Sequence, residues 1–260
     1  MTCRKRKVIQ MGKILLIVEG ERTEKRLLNH FYQLYGIENI EIVPFKTNIY
    51  SFYNRLKKDF AHAKLSANKL DLDLIDLPLF LNSYLRLKGD KRLNEMDFIE
   101  TILVFDFDPQ DPGFSAQVLF DLMRHFSNST EHGKLYLNYP MVESFKDLKT
   151  LEYGDFFDST VKLAVLKEKI GSVNRYKREV DDHTCLKSMN DIDLSVGNAL
   201  LGLHGQKMEH ILSTGPADCE DRYFQLCTAQ ASKLKTEKQL WVINTCILHL
   251  YDEYGPLIKN

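Results

Sequence analysis

The chain has 260 residues, 44% apolar and 27% charged, which is the composition of a globular protein large enough to bury its own core. Its formal net charge is −1, which excludes a global basic field: a nucleic-acid substrate would have to be held by a local patch or through metal ions. Cys3, Cys185, Cys219, Cys227 and Cys246 are odd in number and contain no CxxC pair, so a disulfide framework and a structural zinc site are both disfavoured. No apolar run approaches the ~20 residues of a membrane span, and the expected location is the cytoplasm, with the thiols reduced.

In chain order, residues 1–10 hold Arg4, Lys5, Arg6 and Lys7 and read as a basic N-terminal arm. No small-residue cleavage site follows them, and Met11 offers an alternative start. Residues 11–150 read as an α/β core. Ile14 to Val18 is a buried strand that ends in Glu19 and Gly20. Leu27, Leu28, Phe31, Leu34 and Tyr35 then recur at helical spacing, so a helix is expected over 22–35, stopped by Gly36. Ile40 to Phe45 is rich in β-branched residues, and Pro44 puts this strand at an edge or marks its end. From about 48 to 97 the helical spacing of Phe52, Leu56 and Phe60, with Pro78 later, reads as a helical insertion.

Ile102 to Phe105 is the next buried strand, and it ends in Asp106 and Asp108. A helix over 115–127 and a strand over Lys134 to Tyr139 follow, and then the run Pro140-Met-Val-Glu143. This order predicts a small, mostly parallel sheet flanked by helices. Residues 151–260 read as a helical C-terminal region, with helices over 156–170, 206–212, 222–234 and 238–254.

In an open α/β sheet, ligands bind at the carboxyl ends of the strands. Glu19, the Asp106/Asp108 pair and Glu143 all follow such ends. In an extended Asp-x-Asp the two side chains project to the same side. Two close carboxylates repel unless a cation sits between them, and hard oxygen ligands suit Mg²⁺ or Mn²⁺. A lone Asp-x-Asp is common in turns, so it is the order and position of these residues that point to metal-dependent chemistry.

Ile17-Val-Glu-Gly-Glu-Arg-Thr-Glu24, together with Phe105-Asp-Phe-Asp108 and the later Pro-x-x-Glu-Ser-Phe145, resembles the Toprim domain, the metal-binding fold of topoisomerases, primases and OLD nucleases. The resemblance covers residues 12–150 and is strongest to the OLD-like and RloB-like branch of bacterial anti-phage systems, including the small Toprim effector of PARIS-type systems. It implies that Glu19 is a metal ligand and a general base or acid, and that Asp106 and Asp108 form the metal-binding, catalytic Asp-x-Asp. Glu24 and Glu143 would be further ligands. The third acidic position of the topoisomerase run is Gln110 here, which weakens a strand-passage reading.

The implied function is a metal-dependent nuclease that cleaves DNA or RNA, host tRNA included, as the effector of an abortive anti-phage response. Lys146, Arg175 and Lys177 are candidates for substrate binding, with Tyr176 as a stacking platform. No GxxxxGK[ST] loop occurs in the sequence, so the implied partners are a nucleic-acid substrate and a separate ABC/OLD-type ATPase subunit. A second copy of the chain, forming a homodimer, is a further option, and a membrane is not among the partners. The alternatives are a non-catalytic regulatory subunit that binds the ATPase, and a primase-like nucleotidyl transferase. His183, His204 and His210 fit no standard ligand spacing and receive no role.

Overall fold

Strand β1 (Lys13–Val18) has no solvent face beyond Lys13, since Ile14 to Val18 are all fully buried. A continuous apolar run of this kind suits a central parallel strand covered on both faces. The computed structural model that shows this describes residues 12–60, 64–66, 69–152, 154–213 and 221–258. The basic arm at 1–10 lies outside them.

Helix α1 (Thr23–Tyr35) buries Leu27, Leu28, Phe31 and Tyr32 and ends at Gly36, whose φ of 68° is the left-handed cap that glycine adopts without strain. Strand β2 (Ile40–Pro44) pairs parallel with β1 and forms one edge of the sheet, as Pro44 suggested. Helix α2 (Ile49–Asp59) is capped by the Asn48 side chain, and α3 (Leu77–Tyr84) by Asp76, with Pro78 in its first turn. Between them the insertion carries a short hairpin, 64–66 with 69–70, so it is not purely helical. Strand β3 (Phe98–Asp106) is longer than its apolar half. Helix α4 (Ala116–His125) leads into a short strand, β4 (Ser127–Asn128), and then β5 (Gly133–Asn138). The sheet order is β2-β1-β3-β5-β4, parallel throughout except for β4, which makes the fold α/β with a mostly parallel central sheet.

The insertion shares the core of the sheet. The Phe52 ring on α2 lies 5.0 Å from Phe45 and 5.3 Å from Phe105 on β3, and Phe80 on α3 lies 5.8 Å from Phe52.

Beyond 150 the predicted helices need correction at two places. Residues 156–170 are not one helix: they form β6 (Thr160–Lys162), a short α5 (Leu163–Lys167) and a strand at 169–170. The predicted helix over 238–254 begins instead as β7 (Gln239–Trp241), antiparallel to β6, and only later becomes α9 (Leu248–Ile258). The two strands form because each satisfies the other's backbone across a long stretch of intervening chain, a partner that no local window contains. Between them lie α6 (Arg175–His183), α7 (Leu194–Ser213) and α8 (Arg222–Glu237). No helix among the described residues is long and apolar enough to cross a membrane.

Candidate metal centre

The parallel register sets up the site. Val18 pairs with Val104 and Asp106 with Asn138, so Glu19 and Asp106 reach the same carboxyl rim of the sheet. The Asp106 backbone N–H donates to Glu19 Oε2 at 3.1 Å, and Asn138 Nδ2 donates to Asp106 Oδ1 at 3.2 Å. Asp108 lies past the end of the strand with φ of 43°, a left-handed conformation that aspartate tolerates better than most residues. The extended Asp-x-Asp geometry expected from sequence is therefore corrected. The strand ends at Asp106, and Asp108 is aimed by a turn in which Gln110 Nε2 donates to its Oδ1 at 2.7 Å.

Glu24 sits in the first turn of α1 and is buried. It fits because position 20 is glycine: a Cβ there would lie 2.6 Å from Glu24 Oε2. Glu143 sits on the short 3₁₀ turn Val142–Lys146 after β5 and is buried as well. Its Oε1 pairs with Lys177 Nζ of α6 at 2.8 Å, while its buried Oε2 has no hydrogen-bond partner.

Electrostatics tie the set together. Burial, then the charge of Asp108, pushes the Glu19 carboxyl up to about 8. Burial, then Glu19, Asp108, Glu24 and Glu143, raises Asp106 well above the usual carboxylate range. Burial is also the main cause of the upward shifts of Glu24 and Asp108, with Glu143 adding repulsion to both. Burial acts to lower the pKa of Lys177, but the charge and hydrogen bond of Glu143 outweigh it and the ammonium is held above its ordinary value.

Crowded carboxylates, with Lys177 the ammonium paired to one of them, and an orphaned buried oxygen fit a hard divalent cation such as Mg²⁺ or Mn²⁺. Among the described residues, no three of these carboxylates bring ligand oxygens within 4.8 Å of one another. That spread suits an ion that keeps several waters and takes only one or two carboxylates directly. Among the described residues, Asp73, His125 and His132 meet this spacing, a cluster not foreseen from sequence. Its two imidazoles are stacked, with centroids 4.5 Å apart and planes 24° apart, so their in-plane lone pairs run side by side and do not converge on a common point.

The other sequence candidates fall as follows. Lys177 reaches the centre, whereas Lys146 pairs with Asp181 and Arg175 with Glu168 and Glu179. Tyr176 is buried, its hydroxyl donating to Asp147, so it has no open face on which a base could stack. His183 bonds Asp147, and His204 is buried against Phe145 and Asn244.

Sequence reasoning missed the support under the rim. The stretch 242–246 runs beside the end of β5: Thr245 Oγ1 donates to Leu137 O, the Cys246 N–H to Asn138 Oδ1, and Asn244 Nδ2 to Val142 O. Asn138, a polar residue closing the apolar run Leu135 to Leu137, was a signal present in the sequence.

Comparison with family models, with curated proteins and with solved structures finds no match for this chain.

Proposed function

We propose that this chain is a metal-dependent nuclease of Toprim type that cleaves phosphodiester bonds in DNA or RNA. In the same proposal it acts as the effector of a bacterial anti-phage system, under the control of a separate ATPase. The observation that carries the nuclease reading is that Glu19, Glu24, Asp106 and Lys177 line one strand-end cleft, with Asp108 and Glu143 near enough for their charges to raise the Asp106 carboxyl. The defence role and the ATPase rest on the resemblance of the motifs and on the missing nucleotide-binding loop.

Bound Mg²⁺ or Mn²⁺ would polarise the phosphate and lower the pKa of a coordinated water. Asp106 and Asp108 would hold the ion, with Glu19 beside them and Glu24 and Glu143 completing the acidic wall. Asn138 fixes the orientation of Asp106 through Oδ1. Glu19 Oε2 is engaged by the Asp106 N–H, which leaves Oε1 as the oxygen that can take or give a proton. Lys177 brings a positive charge to the place where negative charge grows on the phosphate.

The test is cleavage of DNA and RNA substrates, tRNA included, by the purified chain with Mg²⁺ or Mn²⁺. Glu19→Ala, and separately the Asp106→Ala/Asp108→Ala double variant, are expected to lower the rate by about 10²-fold or more. Activity left intact by both sinks the site assignment. Calorimetry that detects no divalent-ion binding, with toxicity retained by Glu19→Ala, would point to the non-catalytic regulator.

A further inference from the structure

A second cleft opens beside the carboxylates and shares Arg22, Thr23 and Lys177 with theirs. Its cations are Arg22, Arg26, Lys146, Lys177 and Lys187, against the carboxylates Glu143 and Asp181. Two of the cations are already neutralised, Lys177 by Glu143 at 2.8 Å and Lys146 by Asp181 at 2.5 Å. Three cations have no ion-pair partner among the described residues, although the charge of Arg22 also bears on Glu21. Arg22 and Arg26 stand four residues apart across the first turn of α1, both exposed, and neither guanidinium hydrogen-bonds or ion-pairs with any described residue. Lys187, which lines the same cleft, donates to the backbone carbonyls of Asp181 and Asp182, at 2.8 and 3.2 Å, and has no ion-pair partner among the described residues.

We infer that this groove binds the phosphates that flank the scissile one, so that the strand being cut runs from the carboxylate centre along Arg22, Arg26 and Lys187. The inference rests on the nuclease reading for the position of the scissile phosphate, and on charge complementarity for the rest. Guanidinium groups spaced along a helix face are free to form paired hydrogen bonds with phosphate oxygens. The chain as a whole is slightly acidic, so an unmatched local excess of positive charge next to an acidic centre is the placement that a polyanion bound at that centre requires.

The experiment is fluorescence anisotropy with labelled single-stranded DNA and RNA oligonucleotides, using the full chain in EDTA over a range of salt. Arg22→Ala/Arg26→Ala is expected to weaken binding at least about tenfold and to reduce the slope of log K against log salt by about 1.4, the value for two lost single-strand phosphate contacts. Lys187→Ala should act in the same direction with about half the change in slope. Lys91→Ala/Arg92→Ala, on the cleft beside the β2 edge, serves as the control and should bind as the wild type does. An unchanged affinity and slope in both groove variants overturns the inference, as does failure of the wild type to bind either oligonucleotide. A groove effect on binding without any cleavage in Mg²⁺ or Mn²⁺ would uphold the groove and remove the nuclease. Cleavage with an unaltered KM in the groove variants would do the reverse. A stronger effect on DNA or on RNA names the substrate.

Discussion

The carboxyl of Glu19, pushed up to about 8 by burial and then by Asp108, links the centre to stability. Its folded value lies above the ordinary 4.5, so the folded state holds a proton that the unfolded chain has already released. The stabilisation is complete below about 4.5 and fades as pH rises through about 8. Glu19→Gln keeps the shape and removes the titration. In EDTA at pH 8 its melting temperature should exceed that of the wild type, and the gap should close toward pH 4. With Mg²⁺ present the order should reverse, because the cation then supplies the positive charge that the proton supplied. Equal melting curves at both pH values in EDTA would remove Glu19 from the crowded set. Residues also show what sequence alone can reach. Glu19, Asp106 and Asp108 stood out because each follows an apolar run, whereas the unmatched charge of Arg22 and Arg26 did not: pairing is a property of neighbours in space.

At the scale of elements, the end of β5 does more than carry the chain to Glu143. Asn138 is fully buried and holds Asp106 on one side and the Cys246 N–H on the other. Asn138→Ala leaves that N–H buried without an acceptor and frees Asp106, at a cost of about 1–3 kcal/mol. Chemical denaturation should show that loss, and calorimetry should show weaker divalent binding than in the wild type. A variant as stable as the wild type, with the same ion affinity, would mean that Asn138 does not orient the centre. Most elements were legible from periodicity: β1, α1, β2, β3 and α4 lie within a few residues of their expected positions. The end of α8 was legible to within a few residues although its left-handed cap at Lys238, φ 58°, is not a glycine, but the strand β7 that follows was not, because its partner β6 lies far away in sequence.

Across the whole molecule, the question is whether residues 48–97 and 151–260 are attachments or parts of one core. Phe52 and Phe80 of the insertion pack on Phe45 and Phe105 of the sheet, and 242–246 buttresses the rim. Phe52→Ala should therefore cost about 3–5 kcal/mol and shift a single cooperative transition. An independent insertion would instead give an early transition of its own, with the sheet melting unchanged, and that result would show two separate units.

Hydrophobic periodicity and the placement of glycine and proline are local signals, so the chain's own residues were enough to define an α/β core, its mostly parallel strands and the acidic strand ends. Which carboxylates meet depends on the register between strands far apart in sequence, on the glycine that admits Glu24 and on the turn that aims Asp108. The C-terminal region's part in the centre, through Lys177, Asn244 and Cys246, depends on long-range closure in the same way. Those contacts exist only once the sheet has brought its carboxyl ends together, which is why folding, and no local pattern, assembled the centre and the basic groove beside it.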